Sequence, residues 1–182
     1  VYKRQERACA TGQKLANDDP SNPMYRARHG LALAAHSAVL ARLGKSREAE
    51  EAWAHALVAI GPEPDKNAVI RQVRGNAWAL RALALLHNKD VRGASVAAQT
   101  MLNLNPDYAL TLVAAAKIWS QCASLAAQAD RPGYEGQAIA SLKSAIAKGY
   151  KKKDTLRTNP AFEGLRGKAE FLEMLNGKPE AK

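Results

Sequence analysis

Residues 148–175 read KGYKKKDTLRTNPAFEGLRGKAEFLEML, with Lys151, Lys152 and Lys153 ahead of a Gly- and Pro-broken, aromatic-dotted segment. Consecutive lysines can grip an anion such as a nucleic acid or a lipid headgroup, or they can be the solvated turn that leaves a helix. GLRGKA, within the same stretch, has part of a phosphate-loop pattern. It ends in Ala169 where such a loop needs Ser or Thr, and its earlier glycine is misplaced. Ser95 in GASVA comes close to a nucleophile elbow, but Ala97 replaces the last glycine and the segment reads as helix interior. His29 and His36 stand seven apart and can share a helix face. Neither they nor His55 and His87 belong to a metal-binding spacing. Cys9 and Cys122 form no CxxC, which speaks against a zinc site or a disulfide framework, and Cys122 reads as a small buried hydrophobe. No catalytic residues, cofactor or metal are expected.

The elements that must position these residues read as helices throughout. Hydrophobic residues make up 47% of the 182-residue chain but aromatics only 5%, so the apolar content is mostly Ala and Leu. Alanine costs no side-chain entropy and lets helix backbones approach closely. Period-two alternation is hard to find, which argues against a sheet. The longest apolar runs, NAWALRALALLHN and LTLVAAAKIWS, are interrupted by Arg81 and Lys117 and fall short of a membrane span. Residues 1–20 read as a charged amphipathic helix rather than a secretory signal, and a start at Val1 suggests a piece of something longer. The opening VYKRQ carries no weight in this reading. The formal charge of +10 is spread along the chain, as +3 over residues 1–30, +2 over 31–90, +1 over 91–146 and +4 over 147–182. A phosphate-tracking surface would be more concentrated.

Three segments align without gaps: SREAEEAWAHALVAI from Ser46, VRGASVAAQTMLNLN from Val91 and EGQAIASLKSAIAKG from Glu135. A small residue stands at one place in each, Ala49, Ala94 and Ala138, spaced 45 and 44 apart. Four residues on come Trp53, Ala98 and Leu142; at offset seven, Ala56, Met101 and Ala145; at offset eight, Leu57, Leu102 and Ile146. These offsets place all of them on one helical face. A second amphipathic helix precedes each segment, over roughly 24–42, 66–87 and 107–128. Gly44, Asn88 and the DRPG loop at 130–133 mark the turns within each pair. Proline-containing breaks (NP at 22–23, GPEP at 61–64, NP at 105–106) separate the pairs. The repeating unit is helix, short turn, helix, break.

With small residues Ser37, Ala82 and Ala116 in the first helices, Ala49, Ala94 and Ala138 in the second, and Leu40, Leu85 and Trp119 one turn beyond the first set, the pattern resembles the tetratricopeptide repeat (TPR). Trp78 stands where that family often has tryptophan. His36 and Arg81 occupy a position that is usually leucine, and spacings of 41–45 exceed the family's usual unit of about 34. DDPSNPMYRARHGLALAAHSAVLARLGKSREAEEAWAHAL looks like the repeat region of planctomycete-type bacterial serine/threonine protein kinases, and residues 148–175 look like the closing segment of the same arrays. The kinase signatures themselves (a Gly-rich phosphate loop, HRD, DFG) are missing, so any such activity lies outside this chain.

The resemblance implies an all-α fold, a TPR-like helical-hairpin solenoid wound as a right-handed superhelix with a C-terminal helical cap. Residues 1–20 would hold the second helix of a truncated preceding repeat, 21–62, 63–106 and 107–150 three TPR-like repeats, and 151–182 the cap and tail. A terminal repeat needs a cap with a polar outer face, and Leu156, Phe162, Leu165, Phe171, Leu172 and Leu175 can supply its inward side. In that family the first helices line a groove for a protein or peptide. By register Ala34, Ala38, Arg42, Asn76, Ala79, Leu83, His87, Val113, Lys117 and Gln121 face it. Arg42, Asn76, Leu83, His87, Lys117 and Gln121 are the candidate partner-binding residues. The family's clamp for acidic C-terminal peptides needs Lys and Asn where Ala34 and Ala38 stand, so that activity is not carried over. Arg71, Arg74, Trp78 and Arg81 form a further stripe, with Trp78 read as core between helices. The expected function is a non-catalytic protein–protein interaction scaffold, the TPR region of a larger bacterial signalling protein such as a serine/threonine kinase. It would lie in the cytoplasm, or form the soluble region of a membrane-anchored bacterial protein. Neither a small-molecule substrate nor nucleic acid is the expected partner. The alternatives are an anion- or nucleic-acid-binding basic helical module, and a catalytic or regulatory part of a larger hydrolase or transferase.

Overall fold

Asparagine followed by proline starts a helical element twice in this chain. Asn22 Oδ1 accepts from the Met24 amide at 3.0 Å and Pro23 opens α2 (Pro23–Arg42); Asn159 Oδ1 accepts from the Ala161 amide at 3.0 Å and Pro160 opens a 3-10 helix (Pro160–Leu165). The side chain satisfies an amide the first turn leaves orphaned, and proline removes another that would need a partner. Asn67 and Asp90 cap α4 (Ala68–His87) and α5 (Val91–Leu104) in the same way. The remaining helices are α1 (Tyr2–Asp18), α3 (Ser46–Ile60), α6 (Ala109–Leu125), α7 (Arg131–Ala147), α8 (Lys153–Thr158) and α9 (Ala169–Asn176). The structure, a computed structural model, describes residues 2–61 and 66–176, apart from the side chains of Tyr2 and Arg4. Most of the GPEP break, the boundary expected at 62/63 and the tail from residue 177 lie outside the described residues. Among those residues all regular structure is helical, and no helix is long and apolar enough to cross a membrane.

The turns α2–α3 and α4–α5 are the same construction. In the first, Gly44 takes φ 74°, its amide donates to the Ala41 carbonyl and the Lys45 amide to that of Leu40, both at 3.0 Å. In the second, the Lys89 amide donates to Leu86 at 3.0 Å and the Asp90 amide to Leu85 at 2.9 Å. This double bond pattern closes a helix with one left-handed residue. The expectation placed that residue at Asn88; the structure places it at Lys89, φ 60°, with Asn88 as the ordinary cap before it. Counting back from the shared bonds explains the shift, because Lys89 is 45 residues after Gly44 and Asn88 is not.

Two compact units result, one ending at Asn105 and one beginning at Pro106. In the first, α1 packs on α2, α2 also packs on α3 and α4, and α4 packs on α5. Ser37, Ala49, Ala82 and Ala94 are all buried, and the Ser37 hydroxyl donates to the Ala49 carbonyl at 2.8 Å, tying α2 to α3 where both are small. Leu40, Ala41, Ala49 and Ala52 form a cluster with Ala84 of α4, and Ala34, Trp53, Ala56 and Ile60 form another with Ala77 of α4. The first hairpin and the start of the second therefore share a core. In the second unit α6 packs on α7 with Ala116 and Ala138 buried, the 3-10 helix lies against α6 and α8, and α9 against α7. Leu156, Phe162, Leu165, Phe171 and Leu175 are buried as expected, with the Phe162 and Phe171 rings 6.2 Å apart.

The inward faces are narrower than the sequence pattern suggests. Leu172 is 44% exposed and does not join the closing segment's inner side. Leu57, at offset eight on α3, is 39% exposed, while Trp53 and Ala56 at offsets four and seven are buried. At 100° per residue offset eight stands about 80° off the stripe, on its flank.

Candidate functional site

Trp53 and Trp78 meet edge to face with ring centroids 4.9 Å apart and an interplanar angle of 73°. Arg81, one turn beyond Trp78 on α4, lays its guanidinium carbon 5.4 Å from the centre of the Trp53 ring. Its Nη1 and Nη2 donate to the two oxygens of Glu50 at 2.8 and 2.7 Å. Stacked on one side and held end-on by a carboxylate, Arg81 is engaged within the fold. This accounts for an arginine on the side of α4 that packs toward α3. The long apolar stem packs there and the head finds both a ring and an anion. Trp78 belongs to the packing between helices, as expected. Arg74 of the same stripe is only 8% exposed, and its Nε and Nη1 take no hydrogen-bond acceptor.

The candidate groove residues divide. On α4, Asn76, Leu83 and His87 are exposed, Leu83 by 47%, and their spacings of seven and four keep them on one stripe. Asn76 accepts from Gln72 Nε2 at 3.1 Å. On α2, Arg42 is exposed, but Ala34 is part of the core and Ala38 packs against the Leu40 cluster. Packing on α3 and α4 at once leaves α2 little free face. Arg42 and His87 are 45 residues apart and occupy the same last turn, where a basic side chain complements the helix dipole. In the second unit Val113 is buried rather than groove-facing, Lys117 is half-buried, and Gln121 turns its Oε1 into the protein without a hydrogen-bond partner.

Cys122 is buried, and Cys9 and His29 are partly buried. Burial pushes the Cys122 thiol up to about 11, far from the thiolate a nucleophile needs. Burial, with Glu6 adding to it, also raises Cys9. Burial holds His29 below the usual imidazole range, partly offset by the Cys9 backbone. Ser95 lies inside α5, and among the described residues no three His, Cys, Asp or Glu side chains come together. Lys151 and Lys152 are exposed in the turn after α7. Elsewhere basic side chains are paired, Lys168 with Glu135 at 2.6 Å, Lys143 with Glu170 at 3.3 Å and Lys148 with Asp107.

Sequence reasoning missed Gly30 and Gly75, where bare backbone admits a neighbouring helix or side chain. Nothing in RHGLAL or VRGNAW marks them. Compared with known proteins, the chain matches no family model, no curated protein and no solved structure.

Proposed function

We propose that this chain is a non-catalytic protein–protein interaction scaffold, a TPR-like array of helical hairpins belonging to a larger bacterial signalling protein such as a serine/threonine kinase. The observation that carries this reading is the exposed stripe Asn76, Leu83 and His87 on a helix whose opposite side is fixed in the core. A rigid helix face with an exposed leucine between polar neighbours recognises a partner segment without paying to order itself. The engaged state of Arg81 and the burial of Cys122 add to it by removing the most reactive-looking side chains from the surface.

The test is capture of a protein or peptide by the full chain, with and without Leu83→Asp. An anchor leucine replaced by a charge should lower affinity by about tenfold or more, with circular dichroism unchanged and little response to salt. Capture of nucleic acid instead, falling steeply with the logarithm of salt concentration and indifferent to Leu83→Asp, would sink the reading in favour of the basic module. Failure to recover any protein at low salt would also count against it.

A further inference from the structure

Between the end of α6, the first two turns of α7 and the 3-10 helix lies a cavity of about 270 Å³ lined by Ser120, Ser124, Arg131, Glu135, Gly164 and Leu165. Its volume is many times what a single water needs. One wall donates. Arg131 Nε is held by the Ala123 carbonyl at 3.2 Å, one of the carbonyls α6 leaves open at its end. With Nε taken, the end-on pair Nη1 and Nη2 remains, and among the described residues no carboxylate lies within ion-pair distance of it. The adjoining wall accepts. Glu135, one turn along α7 and only 12% exposed at its side chain, gives Oε2 to Lys168 at 2.6 Å. The Ser124 hydroxyl donates to the Ser120 carbonyl at 3.1 Å, so its lone pairs stay open. Leu165, buried, provides an apolar patch. Gly164 is exposed, and a Cβ there would meet Ser124 Oγ in ordinary contact at 3.9 Å.

Donors beside acceptors on neighbouring turns of one helix complement a molecule that carries both signs close together. A simple anion would still lie beside the Glu135 carboxylate, whose charge Lys168 shares, and a simple cation would face the Arg131 guanidinium. We propose that this cavity is a binding site for a free α-amino acid, its carboxylate on the Nη pair of Arg131 and its ammonium against Glu135 Oε1 and Ser124 Oγ. The site stands on the second unit alone and is independent of the α4 stripe.

Calorimetric titration of the full chain with each standard amino acid, and with acetate and methylammonium as half-ligands, decides it. At least one amino acid binds saturably at a single site, and the half-ligands bind about tenfold or more weaker. Arg131→Gln weakens the amino acid by about tenfold or more, the scale of a lost charge-assisted hydrogen bond. Gly164→Leu fills the cavity and abolishes binding; should that variant melt early, Arg131→Gln carries the test. No binding by any amino acid, equal binding by acetate, or full binding by Arg131→Gln overturns the site.

Discussion

A Cβ built on Gly30 would lie 2.6 Å from Ile60 Cγ1 and 3.0 Å from both the Ala56 carbonyl oxygen and the Ile60 amide nitrogen. The side chain can swing away but the α3 backbone cannot, so Gly30→Ala has to push two helices apart. The expected cost is about 1–3 kcal/mol, the range for overpacking a filled core, read as a lower midpoint in thermal or denaturant unfolding. Gly136, inside α7 with nothing within 4 Å of its would-be Cβ, is the opposite case. Gly136→Ala should raise stability by about 0.5–1 kcal/mol, through the backbone entropy that glycine loses in a helix. Equal effects from the two substitutions would contradict the close approach of α2 to α3. In sequence both are a glycine within a helical pattern, and only the register between helices tells them apart. The same limit hid Ala34. Its small apolar side chain suits either a groove or a core, and its place opposite Ala56 and Ile60 is decided by packing. The inner residues that were legible, Ala49, Ala94 and Ala138, were so because they recur at spacings of 45 and 44.

Some element boundaries were easier to read, because capping is local chemistry, although DRPG, expected as a loop, is the start of α7 with Asp130 at its N-cap, and α6 ends at Leu125 rather than near 128. Asn22–Pro23 and Gly44 mark their helix ends directly, and the observed α2 and α3 begin and end within a residue of the expected spans. The α4–α5 turn misled by one residue because asparagine tolerates the left-handed conformation and lysine does not favour it. Lys89 nonetheless occupies φ 60°, held by the amide bonds of the closing turn. A left-handed L-residue costs roughly 1–2 kcal/mol, part of which glycine gives back in the unfolded chain. Lys89→Gly should therefore stabilise the protein by up to about 1 kcal/mol, whereas Gly44→Ala, which introduces the same strain, should destabilise it by a similar amount. Both are read from denaturant midpoints at unchanged slope. Destabilisation by Lys89→Gly would mean that the turn does not close through Lys89. At the other end of the chain the cap was legible as a set of apolar positions. Leu172 was misassigned because a short helix with a single buried stripe, Phe171 and Leu175, has no room for a second.

For the whole molecule, the positive charge and the repeat were competing guides to function. Charge alone favoured nucleic acid, while several cations are ion-paired within the fold, Arg81 with Glu50, Lys168 with Glu135 and Lys148 with Asp107. The repeat pattern leaves a different trace, small residues buried in each packed helix pair: Ser37 and Ala49, Ala82 and Ala94, Ala116 and Ala138. The one measurement that reaches this most directly is nuclear Overhauser spectroscopy on the full chain with labelled alanine methyl groups. Hairpins built as copies predict strong cross-peaks from the Ala82 methyl to that of Ala94 and from Ala116 to Ala138, with Ala49 near the Ser37 Cβ protons. Cross-peaks that instead join these residues to partners out of register, differing from one pair to the next, would contradict it.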